Sequence, residues 1–428
     1  MDYFRYQENR LHCEQLPLDR IAAEVGTPFY CYSAGTLEHH FDVFQNAFAS
    51  IEHLICYSVK ANSSLALLDT LARRGSGFDI VSMGELERVR RIGSPGHRIV
   101  FSGVGKTTAE LRAALEYDIL LFNVESQAEL TRLNTLAGQM GKKARIALRI
   151  NPDVNPETHP YISTGLKRNK FGIPHQQALS LYRLAATMPH LDPVGLDCHI
   201  GSQLTTLEPF VEALRRVKQL LATLRKEGMA IRYLDLGGGL GIPYDSEQTP
   251  PHPERYAAAL LAELQGLDVI LILEPGRVIV GNAGILVTQV EYVKQGEEKC
   301  FIITDAGMND LIRPALYDAY HTILPIIRRF DREEIMADVV GPICETGDFF
   351  ARDRMLPKFH EGELLAIRSA GAYGFSMSSN YNTRPRVAEV MVRQNRFAVI
   401  RPRETISQLL EHETLFSEGQ PVTNHGIH

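Results

Sequence analysis

The chain has 428 residues, of which 44% are hydrophobic and 22% charged, as expected for a soluble globular protein with more than one domain. Its net charge of -6 argues against binding to nucleic acid. No apolar run approaches the roughly 20 residues of a membrane span, and residues 1–5 lack a signal-peptide pattern. Six scattered cysteines without a CxxC pair indicate neither a disulfide framework nor a zinc site. We expect a cytoplasmic protein with no metal and no membrane contact.

From about residue 50 to residue 275 the sequence repeats a short apolar run, a turn and a helical pattern. Strands alternating with helices are typical of βαβ units and a parallel sheet. Eight such units favour a closed TIM-like (β/α)8 barrel, with an open doubly wound sheet as the alternative. The predicted strands are 54–59, 78–81, 98–101, 119–123, 145–150, 194–199, 232–236 and 268–273.

After about residue 276 the pattern changes to alternating strands with few helices. Residues 285–293, 301–304, 364–368 and 387–392 read as β. The fold class is therefore α/β plus β, in which the second domain is mostly antiparallel, either a β-barrel or a sandwich. We expect the barrel to span residues 30–275, and residues 1–29 and 276–428 to form the second domain, with a polar, loose end at 417–428.

Chemically reactive side chains and glycines follow the predicted barrel strands. A lysine at the end of an apolar strand is usually a solvated residue, so Lys60 alone would carry little weight. In (β/α)8 barrels, however, active sites form at the C-terminal ends of the strands. The residues at or near these ends are Lys60, Asp79, His199, Gly237, Gly238, Gly239, Glu274, Gly276 and Arg277.

This set of residues indicates pyridoxal 5'-phosphate as the cofactor. The amine of Lys60 can form a Schiff base with the cofactor aldehyde. The three glycines allow several backbone N–H groups to bind a phosphate. Glu274 could keep the pyridine nitrogen protonated, and His199 could stack on the ring.

Two glycine-containing segments look like nucleotide motifs but do not complete them. Residues 102–107 resemble a P-loop, yet its first glycine would fall at Val100. The pair Gly237 and Gly239 would need a third glycine at Ile242 to form a dinucleotide fingerprint. Neither segment therefore predicts a nucleotide site.

Almost the whole chain resembles the diaminopimelate decarboxylases, pyridoxal phosphate enzymes with an alanine-racemase-like fold. The matching segments are 57–62, 78–85, 199–203, 236–241, 274–277, 308–314, 341–345 and 371–374. The first five are similar to those of other basic amino-acid decarboxylases. Arg313 with Tyr317, and Cys344 with Glu345, are closer to the diaminopimelate branch.

The resemblance implies a role for each matching residue. Lys60 would carry the cofactor, with Asp79, Gly276 and Arg277 also in contact with it, and Cys344 would protonate the product carbanion. The remaining roles are ring stacking by His199, phosphate binding by Ser202, Gly238 and Tyr373, pyridinium pairing by Glu274, and substrate contacts by Arg277, Arg313, Tyr317, Glu345 and Tyr373. In this family Cys344 and Glu345 reach the site from the partner subunit, which implies a head-to-tail homodimer with shared active sites.

The implied reaction converts meso-2,6-diaminopimelate to L-lysine and CO2. A distal carboxylate needs cationic or hydroxyl donors such as Arg277, Arg313 and Tyr317, and a distal ammonium needs an acceptor such as Glu345. Three alternatives stay open. They are a decarboxylase of another basic amino acid, an amino-acid racemase, and an inactive regulatory relative. The long connection 151–172 is a candidate lid.

Overall fold

The computed structural model describes residues 2–154, 170–245, 247 and 249–416. Its strands are β1 (Phe4–Gln7), β2 (Arg10–Cys13), β3 (Leu16–Pro17), β4 (Phe29–Ser33), β5 (His53–Ser58), β6 (Gly77–Ile80), β7 (Ile99–Phe101), β8 (Leu121–Val124), β9 (Ala144–Asn151), β10 (Ile173–Pro174), β11 (Leu191–Asp197), β12 (Tyr233–Asp235), β13 (Ile270–Leu273), β14 (Gly284–Gln295), β15 (Cys300–Thr304), β16 (Ile323–Pro325), β17 (Glu334–Val340), β18 (Phe349–Pro357), β19 (Leu364–Ile367), β20 (Ala388–Arg393) and β21 (Arg396–Arg401).

The α-helices are α1 (Leu18–Val25), α2 (Ala34–Ala47), α3 (Leu65–Arg73), α4 (Met83–Arg91), α5 (Thr108–Glu116), α6 (Gln127–Gln139), α7 (His175–Thr187), α8 (Glu208–Lys226), α9 (Pro253–Leu264), α10 (Arg277–Val280), α11 (Arg313–Tyr317) and α12 (Ile406–Leu410). Three helices that follow barrel strands begin at hydroxyl caps, Ser82 before α4, Thr107 before α5 and Ser126 before α6, where the side-chain oxygen accepts a hydrogen bond from a free backbone N–H. None of the helices in the described part of the chain is long and apolar enough to cross a bilayer.

Eight parallel strands form a closed barrel, which confirms the predicted fold class and excludes the open sheet. Their order is β9-β11-β12-β13-β5-β6-β7-β8, and β8 pairs with β9 to close the ring. The short strand β10 adds a parallel pairing to the end of β9. Each of the eight overlaps a predicted strand, so their C-terminal ends meet at one mouth.

The second unit is a mixed, mostly antiparallel sheet in the order β18-β17-β15-β14-β4-β20-β21, with β19 branching from β14 and β16 pairing with β19. The four predicted strands correspond to β14, β15, β19 and β20. Two pairings are parallel, between β15 and β17 and between β4 and β20. The sequence patterns missed β4, β16, β17, β18 and β21.

Strand β4 precedes the barrel in the chain but pairs with the second sheet. Phe29 pairs with Val287 of β14 and with Ala388 of β20. The boundary predicted at residue 30 therefore cuts through β4, and the strand pairing favours a boundary after Ser33. The division into two domains otherwise stays a prediction.

The N-terminal strands β1 to β3 form a small sheet that packs against the second one. Phe4 and Leu11 are buried in one cluster with Ile285 and Val390. A larger cluster joins the barrel, its helices and the inner face of the second sheet. Most of the candidate lid, at 155–169, and the polar end at 417–428 lie outside the described residues.

Candidate active site

A cavity with an empty volume of about 470 Å³ lies at the C-terminal mouth of the barrel. Its described lining includes nine of the residues that the sequence singled out. The full lining is Phe44, Ser58, Lys60, His199, Ser202, Gly238, Gly239, Leu240, Tyr256, Glu274, Pro275, Gly276, Arg277, Val278 and Tyr373.

Lys60 lies in a single turn directly after β5, with its amine at the mouth of the barrel. Its Nζ donates to the carboxylate of Asp79 on the neighbouring strand β6, and to Ser58 Oγ at 3.2 Å. Burial opposes the charged amine, but the carboxylates of Asp79 and Glu274 outweigh it and raise the pKa of Lys60. The side chain keeps 37% of its surface exposed, so a small molecule can reach the amine.

The loop of three glycines after β12 approaches other backbone so closely that side chains would not fit. A Cβ on Gly238 would lie 2.2 Å from the carbonyl oxygen of Glu274. Gly237 and Gly239 adopt φ of 62° and 112°, which favour glycine. The N–H groups of Gly237 and Gly238 donate to Asp235 and His199, whereas that of Gly239, at the cavity lining, has no acceptor among the described residues and is available to an anion.

His199 is held as a neutral imidazole beside this loop. The backbone N–H of Gly238 donates to His199 Nδ1 at 3.2 Å, so the ring proton belongs on Nε2. Burial and the nearby charges of Arg149 and Lys60 lower the pKa of His199 well below its usual range. The ring can therefore contact a flat ligand without adding a positive charge.

Glu274 ends β13 within a buried group of acids. Asn123 Nδ2 and Ser102 Oγ both donate to Glu274 Oε1, at 3.4 Å and 3.3 Å. Burial and the carboxylates of Asp235 and Asp79 raise the pKa of Glu274 well above its usual value. Glu274 can thus hold a proton, or receive a cationic ring nitrogen that replaces it.

Two buried arginines share one tyrosine at the side of the cavity. Arg277 donates through Nη1 to the hydroxyl of Tyr244 and through Nη2 to Ser202 Oγ at 3.2 Å. The guanidinium of Arg313 lies 4.7 Å from the centre of the Tyr244 ring and contacts His321 Nε2 at 3.0 Å. Within the described residues neither arginine forms a salt bridge with Asp or Glu. Two cations without a carboxylate make a site for an anionic ligand.

Tyr373 brings the second sheet to the barrel mouth. Its backbone N–H donates to the carbonyl oxygen of Ala61 at 2.8 Å, next to Lys60, and its ring lies 4.9 Å from the guanidinium of Arg277. Tyr373 holds a φ of 56°, a left-handed backbone that is uncommon for this residue type. The contact therefore fixes the ring over the cavity.

Four predicted substrate or catalytic residues lie away from the described lining. Arg313 and Tyr317 are at the two ends of α11, and Arg313 joins the cavity only through Tyr244. Cys344 is exposed, and its backbone N–H donates to Asn382 Oδ1 at 2.9 Å. Glu345 is exposed beside it. A single chain thus does not bring these two residues to Lys60.

Several residues of the site were not singled out in the sequence. They are buried polar side chains on strands or loops that otherwise read as apolar core. A polar residue within a strand that is enclosed on both faces was the available signal. These residues are Ser58, Ser102, Asn123, Arg149, Asp197, Asp235, Tyr244 and His321.

Comparison with known proteins agrees with this geometry. Residues 34–281 match the family described as pyridoxal-dependent decarboxylase, pyridoxal binding domain. The chain is 57% identical to the diaminopimelate decarboxylase of Vibrio cholerae, over 98% of this chain and 100% of that protein. It resembles the structure of the Helicobacter pylori diaminopimelate decarboxylase complexed with L-lysine, with a TM-score of 0.89 and 44% identity over 92% of this chain and 98% of that one. The M. jannaschii enzyme in complex with L-lysine gives a TM-score of 0.92 and 38% identity over 97% and 98%. The chain therefore belongs to the diaminopimelate decarboxylase family of pyridoxal-dependent decarboxylases.

Proposed function

We propose that the protein decarboxylates meso-2,6-diaminopimelate to L-lysine and CO2 with pyridoxal phosphate. One observation carries the proposal. The amine of Lys60 shares a cavity with a glycine loop, the acid Glu274 and the buried Arg277. Tyr244 contacts both Arg277 and a second buried arginine, Arg313. This cofactor needs an amine, an anion site and an acid, and a substrate with a second carboxylate needs the additional cation.

The residues of the cavity fit the proposed cofactor. Gly238 and Gly276 line the cavity where a Cβ would lie 2.2 Å from the carbonyl oxygen of Glu274 and 3.0 Å from Ala61 Cβ, so only glycine brings the backbone to the ligand here. The buried Nε of Arg277 has no hydrogen-bond acceptor in the described structure. Lys60 would hold the aldehyde carbon, and the glycine loop with Ser202, Gly276 and Tyr373 would hold the phosphate. When bound, pyridoxal phosphate supplies an electron sink for the electron pair that remains on carbon after CO2 leaves.

The surrounding side chains orient the reacting groups and hold protons at defined atoms. The carboxylate of Glu274 would accept the hydrogen bond of the protonated ring nitrogen. His199, neutral and fixed by Gly238, would cover one ring face and exclude water there. Asp79 keeps the amine of Lys60 charged and directed to the mouth until the cofactor arrives.

The proposed substrate places its distal carboxylate against the arginines. Arg277 and Arg313 would donate to it, with the hydroxyl of Tyr317 at the other end of α11. Its distal ammonium would contact Glu345. The scissile carboxylate would lie in the less polar part of the cavity, where loss of its charge is favourable.

A head-to-tail homodimer completes the proposal. Cys344 is exposed, and the described lining of the cavity around Lys60 does not contain it. A partner subunit would supply this thiol, which would protonate the substrate carbon from Sγ, together with Glu345. We place the enzyme in the cytoplasm, which the free state of all six cysteines supports.

Carbon dioxide release tests the choice of substrate. The holoenzyme should release CO2 from meso-diaminopimelate at a kcat/KM far above that for ornithine, because only the first substrate offers a carboxylate to Arg313. A preference for ornithine would refute the assignment. Racemised diaminopimelate without CO2 would identify a racemase instead.

Mixed dimers test the shared active site. Lys60→Ala and Cys344→Ala chains should each be nearly inactive alone. After they are mixed in equal amounts and reassembled, about half of the dimers contain one chain of each kind, and one of the two sites in such a dimer holds both native residues. The mixture should therefore regain on average up to about half of a normal site per dimer. Mixing each variant with itself is the control. If the mixture stays inactive although the chains exchange, each site is formed within one chain.

A further inference from the structure

The interior of the barrel holds more acid than the proposed chemistry uses. Four buried carboxyl groups, on Asp79, Asp197, Asp235 and Glu274, face one another across β6, β11, β12 and the end of β13. Asp197 and Asp235 are partners in register on adjacent strands. Side by side, two like charges destabilise a sheet, so this group requires cations or a retained proton.

The described cations do not balance the four acids. Lys60 pairs with Asp79, and Arg149 lies 3.2 Å from the carboxylate of Glu125. Asp235 and Glu274 are left as a pair with no cation in direct contact among the described residues. The charged groups that face Glu274 are Asp235, Asp79, Lys60 and Arg149. The charge of Asp197 also raises the pKa of Asp235.

A hydrogen-bond network holds Asp235 and Glu274 together. Asn123 Nδ2 donates to Asp235 Oδ2 at 3.1 Å and to Glu274 Oε1 at 3.4 Å, so one amide spans both carboxyl groups. The shared amide therefore holds the two carboxyl groups next to each other. The other oxygen of Asp235 accepts from the backbone N–H of Gly237 at 2.9 Å, which fixes the aspartate to the glycine loop.

Two adjacent buried carboxyl groups without a cation in contact are stable when one of them carries a proton, and burial raises the pKa of both. Asp235 accepts the shorter hydrogen bonds, from Gly237 at 2.9 Å and Asn123 at 3.1 Å, whereas Glu274 accepts at 3.3 Å and 3.4 Å. The proton therefore belongs on Glu274 and the negative charge on Asp235. The anionic Asp235 then lies directly behind the residue that faces the proposed ring nitrogen.

We propose that Asp235 is a positioning residue that acts through Glu274. Its negative charge, next to the carboxylate of Glu274, adds to the charge that holds a proton on the ring nitrogen. The inference rests on the proposed function in that pyridoxal phosphate is the ligand. Proton and charge balance without further reactants: the proton that Glu274 carries in the empty site would become the proton of the ring nitrogen, Glu274 would become its anionic acceptor, and Asp235 would stay anionic.

Nitrogen NMR of the holoenzyme, loaded with ring-labelled ¹⁵N pyridoxal phosphate, tests this directly. The ¹⁵N chemical shift reports protonation of the ring nitrogen as the pH is varied, and it needs no substrate. Asp235→Asn keeps the shape but removes the charge, so the nitrogen should lose its proton about one to three pH units lower than in the unaltered protein. An unchanged titration overturns the proposal.

A double variant tests whether Asp235 acts through Glu274. In a Glu274→Gln background, Asp235→Asn should add little or no further shift, because the connecting carboxyl group is gone. A shift as large as in the unaltered background would show direct action and contradict the proposal.

A third variant keeps the proposal testable if Asp235→Asn does not fold. Asn123→Ala removes a donor that favours the charged carboxylates, so the ring nitrogen should hold its proton to a higher pH, opposite in sign to the aspartate variant. No shift, or a downward one, overturns the proposal. Failure of the proposed reaction would instead appear as absent lysine production with an intact ¹⁵N titration.

Discussion

The amine of Lys60 and the carboxylate of Asp79 form an ion pair between two neighbouring barrel strands, with Ser58 as a common partner. Asp79 is fully buried and accepts from Ser58 Oγ at 2.8 Å. A buried carboxylate in contact with an amine favours the charged amine. The pair therefore stabilises Lys60 in the form that cannot attack an aldehyde.

Removal of the Asp79 charge should make Lys60 react at lower pH. Burial lowers the pKa of Lys60, whereas the charge of Asp79 raises it. Asp79→Asn should therefore lower the pKa of the Lys60 amine by about one pH unit or more. The measurement is the rate at which cofactor-free protein recombines with pyridoxal phosphate as a function of pH. Asp69→Asn, on an exposed helix pair, is the control, and an unchanged profile in Asp79→Asn would contradict the account.

The glycine loop should not tolerate a methyl group. Gly238→Ala would bring a Cβ within 2.2 Å of the carbonyl oxygen of Glu274, which backbone movement must relieve at a cost of about 1–3 kcal/mol. Urea denaturation should show that loss, and equilibrium dialysis should show weaker cofactor binding. Gly105→Ala is the matched control, because no atom lies within 4 Å of its added Cβ. Equal behaviour of the two variants would be evidence against the loop as the phosphate site.

Arg313 should affect substrate affinity more than cofactor binding. Arg313→Met loses a charged hydrogen bond of about 1.5–3 kcal/mol, so KM for diaminopimelate should rise about ten- to hundredfold. His321, whose pKa is lowered to about 3 by burial and Arg313, is neutral and tolerates the change. Steady-state kinetics and the visible cofactor band are the measurements. Arg73→Met, at an exposed pair, is the control, and an unaltered KM would remove Arg313 from the substrate site.

The segment that resembles a P-loop should behave as a structural element. Lys106 Nζ donates to Glu129 Oε1 at 2.7 Å and to two backbone carbonyl oxygens, and both side chains are almost fully buried. Lys106→Met leaves an unpaired buried carboxylate and should cost about 3–5 kcal/mol of unfolding free energy. The double variant with Glu129→Leu should recover part of this. A stabilising response to nucleotide would contradict the assignment.

The barrel and most of its mouth could be predicted because both depend on local patterns. Each strand has an apolar run of its own, and the residues that follow parallel strands must meet at one end. Strand β4 could not be placed in this way, because Phe29–Ser33 pairs with strands that lie more than 250 residues away in the sequence. The sequence patterns predict no strand there and a barrel that begins at residue 30.

The connections between site residues depend on the folded geometry. Tyr244 links Arg277 to Arg313 across the two parts of the chain, and nothing near it in the sequence indicates this role. Asp235 and Asn123 each lie inside an apolar strand, where one polar residue has many possible explanations. The exposed position of Cys344 likewise required the folded chain, since a cysteine in that sequence could equally be buried core.

Replacement of Lys60 shows whether its amine holds the cofactor. The unaltered holoenzyme should have the visible absorption band of its bound cofactor and form lysine and CO2 in equal amounts from meso-diaminopimelate. Lys60→Ala should lose both the band and the turnover while it keeps the circular dichroism spectrum of the folded protein. A Lys60→Ala variant that still makes lysine at the normal rate would contradict the account.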